Sequence, residues 1–129
     1  MSHFTTVKTQ MKNKGALLQS LHDLKLEGIK ENAQGRGYRG DKRQAEIVCQ
    51  SPKRADYDIL FDQDSEGNYG MTADWSMMGG SSYEKEFRNM VNQRYSFNVV
   101  MEQAQTQGFT LTEETTSQQG EIRLVLSKY

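Results

Sequence analysis

The sequence predicts a single α+β domain spanning residues 1–129, with a mainly antiparallel sheet and two helices packed on one face of it. Two segments carry the three- and four-residue apolar spacing of amphipathic helices, and seven carry the composition or alternation of strands. The predicted order is β-α-β-β-β-β-α-β-β. Runs of consecutive strands between only two helices favour an antiparallel sheet. No internal repeat or long linker divides the chain.

The first quarter of the chain is predicted to form a strand, a helix and the approach to a second strand. The segment 3–11, HFTTVKTQM, is rich in strand formers and poor in helix formers. Asn13 is a candidate N-cap for a helix whose apolar face carries leucines at 17, 18, 21 and 24. The segment 24–32, LKLEGIKEN, then turns into the second strand.

Three further strands are predicted in the middle of the chain. Each has an apolar centre or alternating apolar residues, and they are QAEIVCQ at 44–50, DYDILFD at 56–62 and NYGMTADW at 68–75. The acidic segment 62–67, DQDSEG, joins the last two as a hairpin turn in which Gly67 takes positive φ.

A long amphipathic helix over residues 82–107 and two closing strands are predicted for the last third. Ser82 is the candidate N-cap, and Gly108 is the candidate residue after the C-cap. Weak helix propensity at RYSFN, residues 94–98, leaves open whether one helix or two abutting helices form. The strands are FTLTEETT at 109–116 and EIRLVLSKY at 121–129. The helical residues expected to be buried are Leu17, Leu21, Leu24, Phe87, Val91 and Met101.

The composition limits both the core and the class of protein. Hydrophobic residues make up 35% of the chain, the mean hydropathy is −0.83 and the net charge is −1. Any attraction to nucleic acid must therefore come from a local basic patch. Cys49 is the only cysteine, which excludes an internal disulfide and a multi-cysteine metal site. The lack of a membrane-length apolar run and of a signal-peptide core predicts a soluble protein of a reducing compartment.

The segment 35–40, GRGYRG, has the G-x-G-x-x-G spacing of phosphate-binding loops. A dinucleotide-binding loop requires a helix immediately after the glycines, because the helix N-terminus holds the pyrophosphate. Here a strand-like segment follows, and Pro52 comes before three helical turns are possible. We therefore predict no nucleotide cofactor at this segment.

Two interpretations of the same segment remain open. In the first, the glycines form a turn or bulge between strands, with Gly37 a candidate for positive φ, and the arginines are solvated. In the second, a basic and aromatic patch recognises phosphate groups, stacked bases or an acidic protein surface. The residues of this patch are Arg36, Tyr38, Arg39, Lys42 and Arg43. An acidic block lies between Asp56 and Asp74, and pairing of the two blocks across the sheet would favour the first interpretation.

The acidic turn at 62–67 imitates the first half of a calcium-binding loop. Its acids and its glycine fall at positions one, three, five and six of such a loop. The twelfth position, where a bidentate glutamate closes the site, is Ala73. An acidic hairpin turn without a bound metal is the prediction.

No set of residues predicts catalysis. Cys49 lies in an apolar strand, where thiols are usually inert, and His3 and His22 are distant from it in sequence. Asp56 and Asp58 have same-face spacing on a strand, which is more typical of exposed acids than of a catalytic pair. We predict no catalytic residue, metal ion or cofactor.

The segment 74–80, DWSMMGG, contains a second candidate surface formed by Trp75, Met77 and Met78. Tryptophan is a common anchor at protein interfaces, and methionine adapts to varied partners. Alternatively, all three side chains close the core beneath the helix that follows. Both interpretations remain open.

Seven segments spread along the chain carry a family resemblance. They are MSHFTTVKTQ at 1–10, RGYRG at 36–40, YDI at 57–59, ADW at 73–75, NQRY at 92–95, QGFT at 107–110 and IRLVL at 122–126. Together they resemble the plastid "hypothetical open reading frame 35" group, a family of unknown function from cyanobacteria, plastids and other bacteria. The resemblance brings no established activity or site residue with it. It implies a bacterial cytosol or plastid stroma and work beside other proteins, among them an AAA-type ATPase system.

The sequence therefore predicts a non-enzymatic accessory or adaptor protein that binds protein partners in a cyanobacterium-like cell or plastid. The lack of a catalytic set, the opposed charge blocks and the segment around Trp75 support this hypothesis. The alternative is a nucleic-acid or phosphoanion-binding module that uses the basic stretch 35–43.

Overall fold

The computed structural model describes residues 3–128, and its elements follow the predicted order. The helices and strands among these residues are β1 (Thr5–Lys8), α1 (Lys14–Asp23), β2 (Lys30–Arg36), β3 (Lys42–Gln50), β4 (Asp58–Gln63), β5 (Tyr69–Ala73), α2 (Ser81–Thr106), β6 (Phe109–Thr116) and β7 (Ile122–Lys128). Two short 3₁₀ turns, at Tyr38–Gly40 and Trp75–Met78, precede β3 and α2.

Five of the strands form one antiparallel sheet in the order β1-β5-β4-β3-β2. Ile47, Phe61 and Met71 are neighbours on its three central strands, and all three are fully buried. The last two strands, β6 and β7, pair with each other in a separate two-stranded sheet. The predicted α+β class with mainly antiparallel strands is confirmed.

Both helices pack on the same face of the five-stranded sheet. Leu17 and Leu21 of α1 lie in one buried cluster with Phe87 and Val91 of α2. The strand residues of this cluster are Ile47, Cys49, Ile59, Phe61, Tyr69, Met71 and Ala73. The predicted arrangement of the helices and the predicted burial of these four helical residues are confirmed.

Local sequence signals set the bounds of α1. The side-chain oxygen of Asn13 accepts a hydrogen bond of 3.0 Å from the backbone N–H of Ala16, which confirms the predicted N-cap. The helix ends at Asp23, and Lys25 has a φ of 57°. Leu24 is only half-buried, contrary to our prediction, because it lies at the C-cap where the chain leaves the helical face.

The second helix is continuous from Ser81 to Thr106, including the segment 94–98 of weak propensity. The predicted cap at Ser82 is wrong, because the helix begins one residue earlier and Gly80 is its N-cap. At the other end Gly108 has a φ of 84° and follows the C-cap, as predicted. Neither described helix is long and apolar enough to cross a membrane.

The two halves of α2 have different surroundings. Tyr95 is the last of its residues that packs on the main core. Beyond it the helix contacts the β6–β7 hairpin, and Ala104 is the only buried residue of this half. Met101 is therefore half-buried, and our prediction of full burial is wrong.

A carboxylate joins the two helices. Asp23 of α1 accepts hydrogen bonds from Arg94 Nε at 2.9 Å and Asn98 Nδ2 at 3.1 Å, both on α2, and from Gln19 Nε2 at 2.7 Å. Burial opposes ionisation of Asp23, but these hydrogen bonds outweigh it and lower the pKa of the carboxyl group. Arg94 also lies 3.7 Å from Glu114 of β6, so it connects α1, α2 and the hairpin.

The core position of Leu21 predicts a large effect of truncation. Replacing Leu21 by Ala should lower the free energy of unfolding by about 2–5 kcal/mol, because the cavity it leaves is enclosed. Leu24→Ala, at the half-buried position, should cost clearly less. Urea unfolding of both variants measures the difference, and equal losses would contradict the assigned helix face.

The contacts of Asp23 predict a dependence of stability on pH. Its folded pKa is below the ordinary value of 3.8, so its contribution is complete above about pH 4 and is lost as the pH falls further. Asp23→Asn should lower the free energy of unfolding at pH 7 by about 1–2 kcal/mol. The difference from the natural chain should stay constant above about pH 4 and shrink as the pH falls below it, in a series of urea titrations at roughly half-unit steps. Glu66→Gln, on an exposed turn, is the control and should show no such trend.

Candidate functional site

The β2–β3 hairpin bends over the sheet face that lies away from the helices. A small cluster there contains Ala45, Val48 and Leu60, with Phe4 and Ala33 packed against it. Gly35 is buried, and a Cβ atom at this position would overlap the side chain of Leu60. The glycine therefore allows the hairpin backbone to lie directly on the central strand β4.

An ion pair holds the hairpin in this position. The carboxylate of Asp58 accepts hydrogen bonds from Arg36 Nε at 2.9 Å, from Arg36 NH2 at 3.0 Å and from the Arg36 backbone N–H at 2.8 Å. Asp58 is only 6% exposed, and its hydrogen bond raises the pKa of the Arg36 guanidinium. Arg36 NH2 also donates to the carbonyl oxygen of Ala55. Arg36 thus compensates a buried charge. The first interpretation of the stretch, in which the arginines are solvated, did not include this role.

The tip of the hairpin is attached to the end of β5. The backbone N–H of Tyr38 donates to Asp74 Oδ2 at 2.7 Å, and Asp74 is 1% exposed. Gly37 is extended, with a φ of −136°, so our expectation of positive φ is wrong. Glycine is required at this position because there is no room for a side chain. A Cβ atom would lie 2.5 Å from Phe4 Cζ and 2.9 Å from Asp74 Oδ2. Positive φ occurs instead at Arg39 and Gly40.

The residues of the predicted basic patch lie around the tip of the hairpin. Arg36 is paired with Asp58 although its side chain is 44% exposed, Tyr38 is half-buried, and Arg39, Lys42 and Arg43 are exposed. The guanidinium of Arg39 lies 5.3 Å from the centre of the Tyr38 ring. The opposed charge blocks meet at Arg36–Asp58, and Arg36 and Lys42 are register partners across the hairpin.

The candidate surface around Trp75 is mostly part of the core. Trp75 is 6% exposed, its indole N–H donates to the carbonyl oxygen of Thr5 at 3.0 Å, and its ring lies 6.2 Å from that of Phe87. Met78 is 1% exposed. Both residues are thereby removed from the predicted docking surface, and Met77 alone is half-exposed.

The other sequence candidates have local structural roles. Asp64 Oδ1 accepts from the backbone N–H groups of Glu66 and Asn68, which closes the β4–β5 turn, and Gly67 has a φ of 85°. Asp62 Oδ1 accepts from the backbone N–H of Glu46. Both carboxylates therefore accept hydrogen bonds from backbone N–H groups, Asp64 within the β4–β5 turn and Asp62 from the neighbouring strand β3.

The candidate catalytic groups are separated from one another. Cys49 is fully buried, and burial raises the pKa of its thiol to about 12, with a contribution from the charge of Asp58. It is therefore protonated at neutral pH, whereas His3 and His22 are exposed. Asp56 is exposed and pairs with Arg54 at 3.0 Å, so it does not join Asp58 in a carboxylate dyad.

A groove beside the second half of α2 was not found by sequence reasoning. It has a volume of about 540 Å³ and lies between α2 and the start of β7. Its lining residues are Gln93, Ser96, Phe97, Val100, Gln119, Gly120, Glu121, Ile122 and Leu124. Val100 is 42% exposed and Val125 is 47% exposed, the two most exposed large apolar residues in the described part of the chain. Val100 follows Phe97 by three positions and precedes Ala104 by four, so it extends the apolar spacing of α2, whereas Val125 lies outside the alternation of β7.

Comparison with known proteins places the chain among proteins without an established role. Residues 20–125 match the family described as "Protein of unknown function (DUF1257)". The chain is 32% identical to the "Uncharacterized protein ycf35" of Guillardia theta over 129 residues, which cover 100% of this chain and 98% of the relative. Proteins of the same name from Cyanophora paradoxa and Pyropia yezoensis are 25% and 19% identical, with the same coverage. These relatives are plastid-encoded, and the resemblance found in the sequence is confirmed. No solved structure matches.

The close approach at Gly37 predicts that a larger side chain displaces the hairpin tip. Gly37→Val should lower the free energy of unfolding by about 1–3 kcal/mol, because Phe4 and Asp74 leave no space for the branched side chain. Gly40→Asn is the matched control in the same hairpin, since no atom lies within 4 Å of its Cβ position and Asn tolerates positive φ. Thermal melts should show the larger loss for Gly37→Val, and the reverse order would contradict the packing described.

Proposed function

This chain belongs to the DUF1257 family of proteins of unknown function, and we propose that it is a non-enzymatic accessory or adaptor protein that binds a protein partner. The groove between α2 and β7 is the proposed binding surface. The proposed compartment is the cytoplasm of a cyanobacterium-like cell or the plastid stroma. Within this proposal, a component of an AAA-type ATPase system is the partner class that the family resemblance favours.

The exposure of apolar side chains along the groove is the observation that carries the proposal. Val100 is 42% exposed and faces the groove, and Phe97, Ile122 and Leu124 are only half-buried there. Covering apolar surface is favourable by about 25 cal/mol per Å² removed from water. A concave apolar surface with a polar rim, here Gln93 and Glu121, is typical of protein-binding sites.

The free edge of β7 supports an extended segment as the occupant. β7 pairs with β6 on one side, and no strand pairs with its other side within residues 3–128. Its unpaired backbone groups are able to accept an added strand, whose alternate side chains would then enter the groove. A third strand would also stabilise the β6–β7 hairpin, because an isolated two-stranded sheet is only marginally stable.

Substitution of Val100 tests the proposal. Tagged chain recovered from the native cell after nuclease treatment should retain a protein partner, and Val100→Glu should reduce its recovery at least about tenfold, because the buried charge would lack a counter-ion. Gln103→Glu, an exposed position on the same helix, adds the same charge and should leave recovery unchanged. Quantitative mass spectrometry of the recovered material provides the measurement.

Two further results would contradict this function. Loss of all partners on nuclease treatment would assign the chain to nucleic acid, in agreement with the alternative based on residues 35–43. A protein partner that Val100→Glu retains, with both variants melting like the natural chain, would show that the groove is not the binding surface.

A further inference from the structure

A polar cavity lies on the sheet face away from the helices, beneath the bent β2–β3 hairpin. Its volume is about 470 Å³, within the range of small-molecule sites. The residues that line it are Gly28, Lys30, Gln34, Arg36, Lys42, Val48, Gln50 and Asp58. The bend of the hairpin brings Lys30, at the start of β2, to the same cavity as Arg36 and Lys42 at its tip.

The lining carries uncompensated positive charge. It contains three cations and one carboxylate, and the carboxylate of Asp58 is already paired with Arg36 at 2.9 Å. Lys30 and Lys42 have no acidic partner in the part of the chain that the structure describes. Both lysines line the cavity, and a bound anion of charge −2 would compensate their charges.

The donors of the cavity are suited to an anion with several oxygens. Asp58 and the Ala55 carbonyl oxygen engage Nε and NH2 of Arg36, which fixes the guanidinium and leaves NH1 without a hydrogen-bond partner among the described residues. Gln34 and Gln50 also line the cavity. A guanidinium held in place in advance loses little entropy when it binds an oxyanion.

From this geometry we propose that the cavity binds the phosphoryl group of a small molecule, through Lys30, Arg36 and Lys42. A phosphate group matches the surplus charge of the lining and accepts hydrogen bonds from several directions at once. Tyr38 and Arg39 lie outside the lining, so no aromatic ring is placed there to stack a base. The site is separate from the groove beside α2 and is independent of the function proposed for that groove.

Titration of the full chain with inorganic pyrophosphate tests the site. In amide-resolved NMR spectra, saturable shifts are expected at Gly28, Gln34 and Gln50, which line the cavity. The double variant Lys30→Gln/Lys42→Gln should weaken binding at least about tenfold, because both unpaired charges are lost. Lys12→Gln/Lys85→Gln removes the same total charge from exposed positions elsewhere and should bind like the natural chain.

Three outcomes would overturn the proposal. The first is equal weakening of pyrophosphate binding in both double variants, which would show that binding depends only on the net charge of the protein. The second is a lack of saturation below about 10 mM pyrophosphate while the spectrum remains that of a folded chain. The third is tighter binding of a single-stranded oligonucleotide at the same amides, with a log–log salt slope of about −0.7 per phosphate contacted. That third result would assign the cavity to a nucleic-acid backbone.

Discussion

The buried carboxylate of Asp58 is the constraint on which the second face of the sheet depends. A charge that is 6% exposed requires a partner, and Arg36 supplies one through its side chain and its backbone N–H. Because Arg36 is the last residue of β2, the pair fixes the bend of the whole hairpin. The bent hairpin in turn covers Leu60 and Val48, which lie on the face that the helices do not reach. One ion pair therefore links charge compensation to the burial of the second apolar cluster.

The groove at the other end of the molecule is a result of the length of α2. Its apolar packing on the main core ends at Tyr95, yet the helix continues to Thr106. At the position where α2 leaves the main core, Arg94 binds Asp23 of α1 and lies 3.7 Å from Glu114 of the β6–β7 hairpin. Two strands cannot enclose the exposed side of a helix, so the groove and Val100 remain accessible. The groove is a direct consequence of a helix longer than the sheet that it packs against.

Local signals in the sequence predicted the order of the elements and several of their ends, because these depend on neighbouring residues. Asn13 caps α1 and Gly108 ends α2 through contacts within a few positions of each. The environment of Gly37 was misjudged, since its need for glycine comes from Phe4, which is distant in sequence. The cavity was missed for the same reason. Lys30 lies outside the basic stretch 35–43, and only the bend of the hairpin brings it to the same cavity as Lys42.

The two candidate sites are built on opposite sides of the five-stranded sheet. The groove belongs to α2, which packs on one face, whereas the cavity lies beneath the hairpin that covers the other. A partner bound beside Val100 would therefore leave Lys30 and Lys42 open to solvent. Any coupling between the sites would have to pass through the fully buried residues of β3 and β4, which are close-packed and resist small displacements. Independent occupation of the two sites is thus the arrangement that this fold favours.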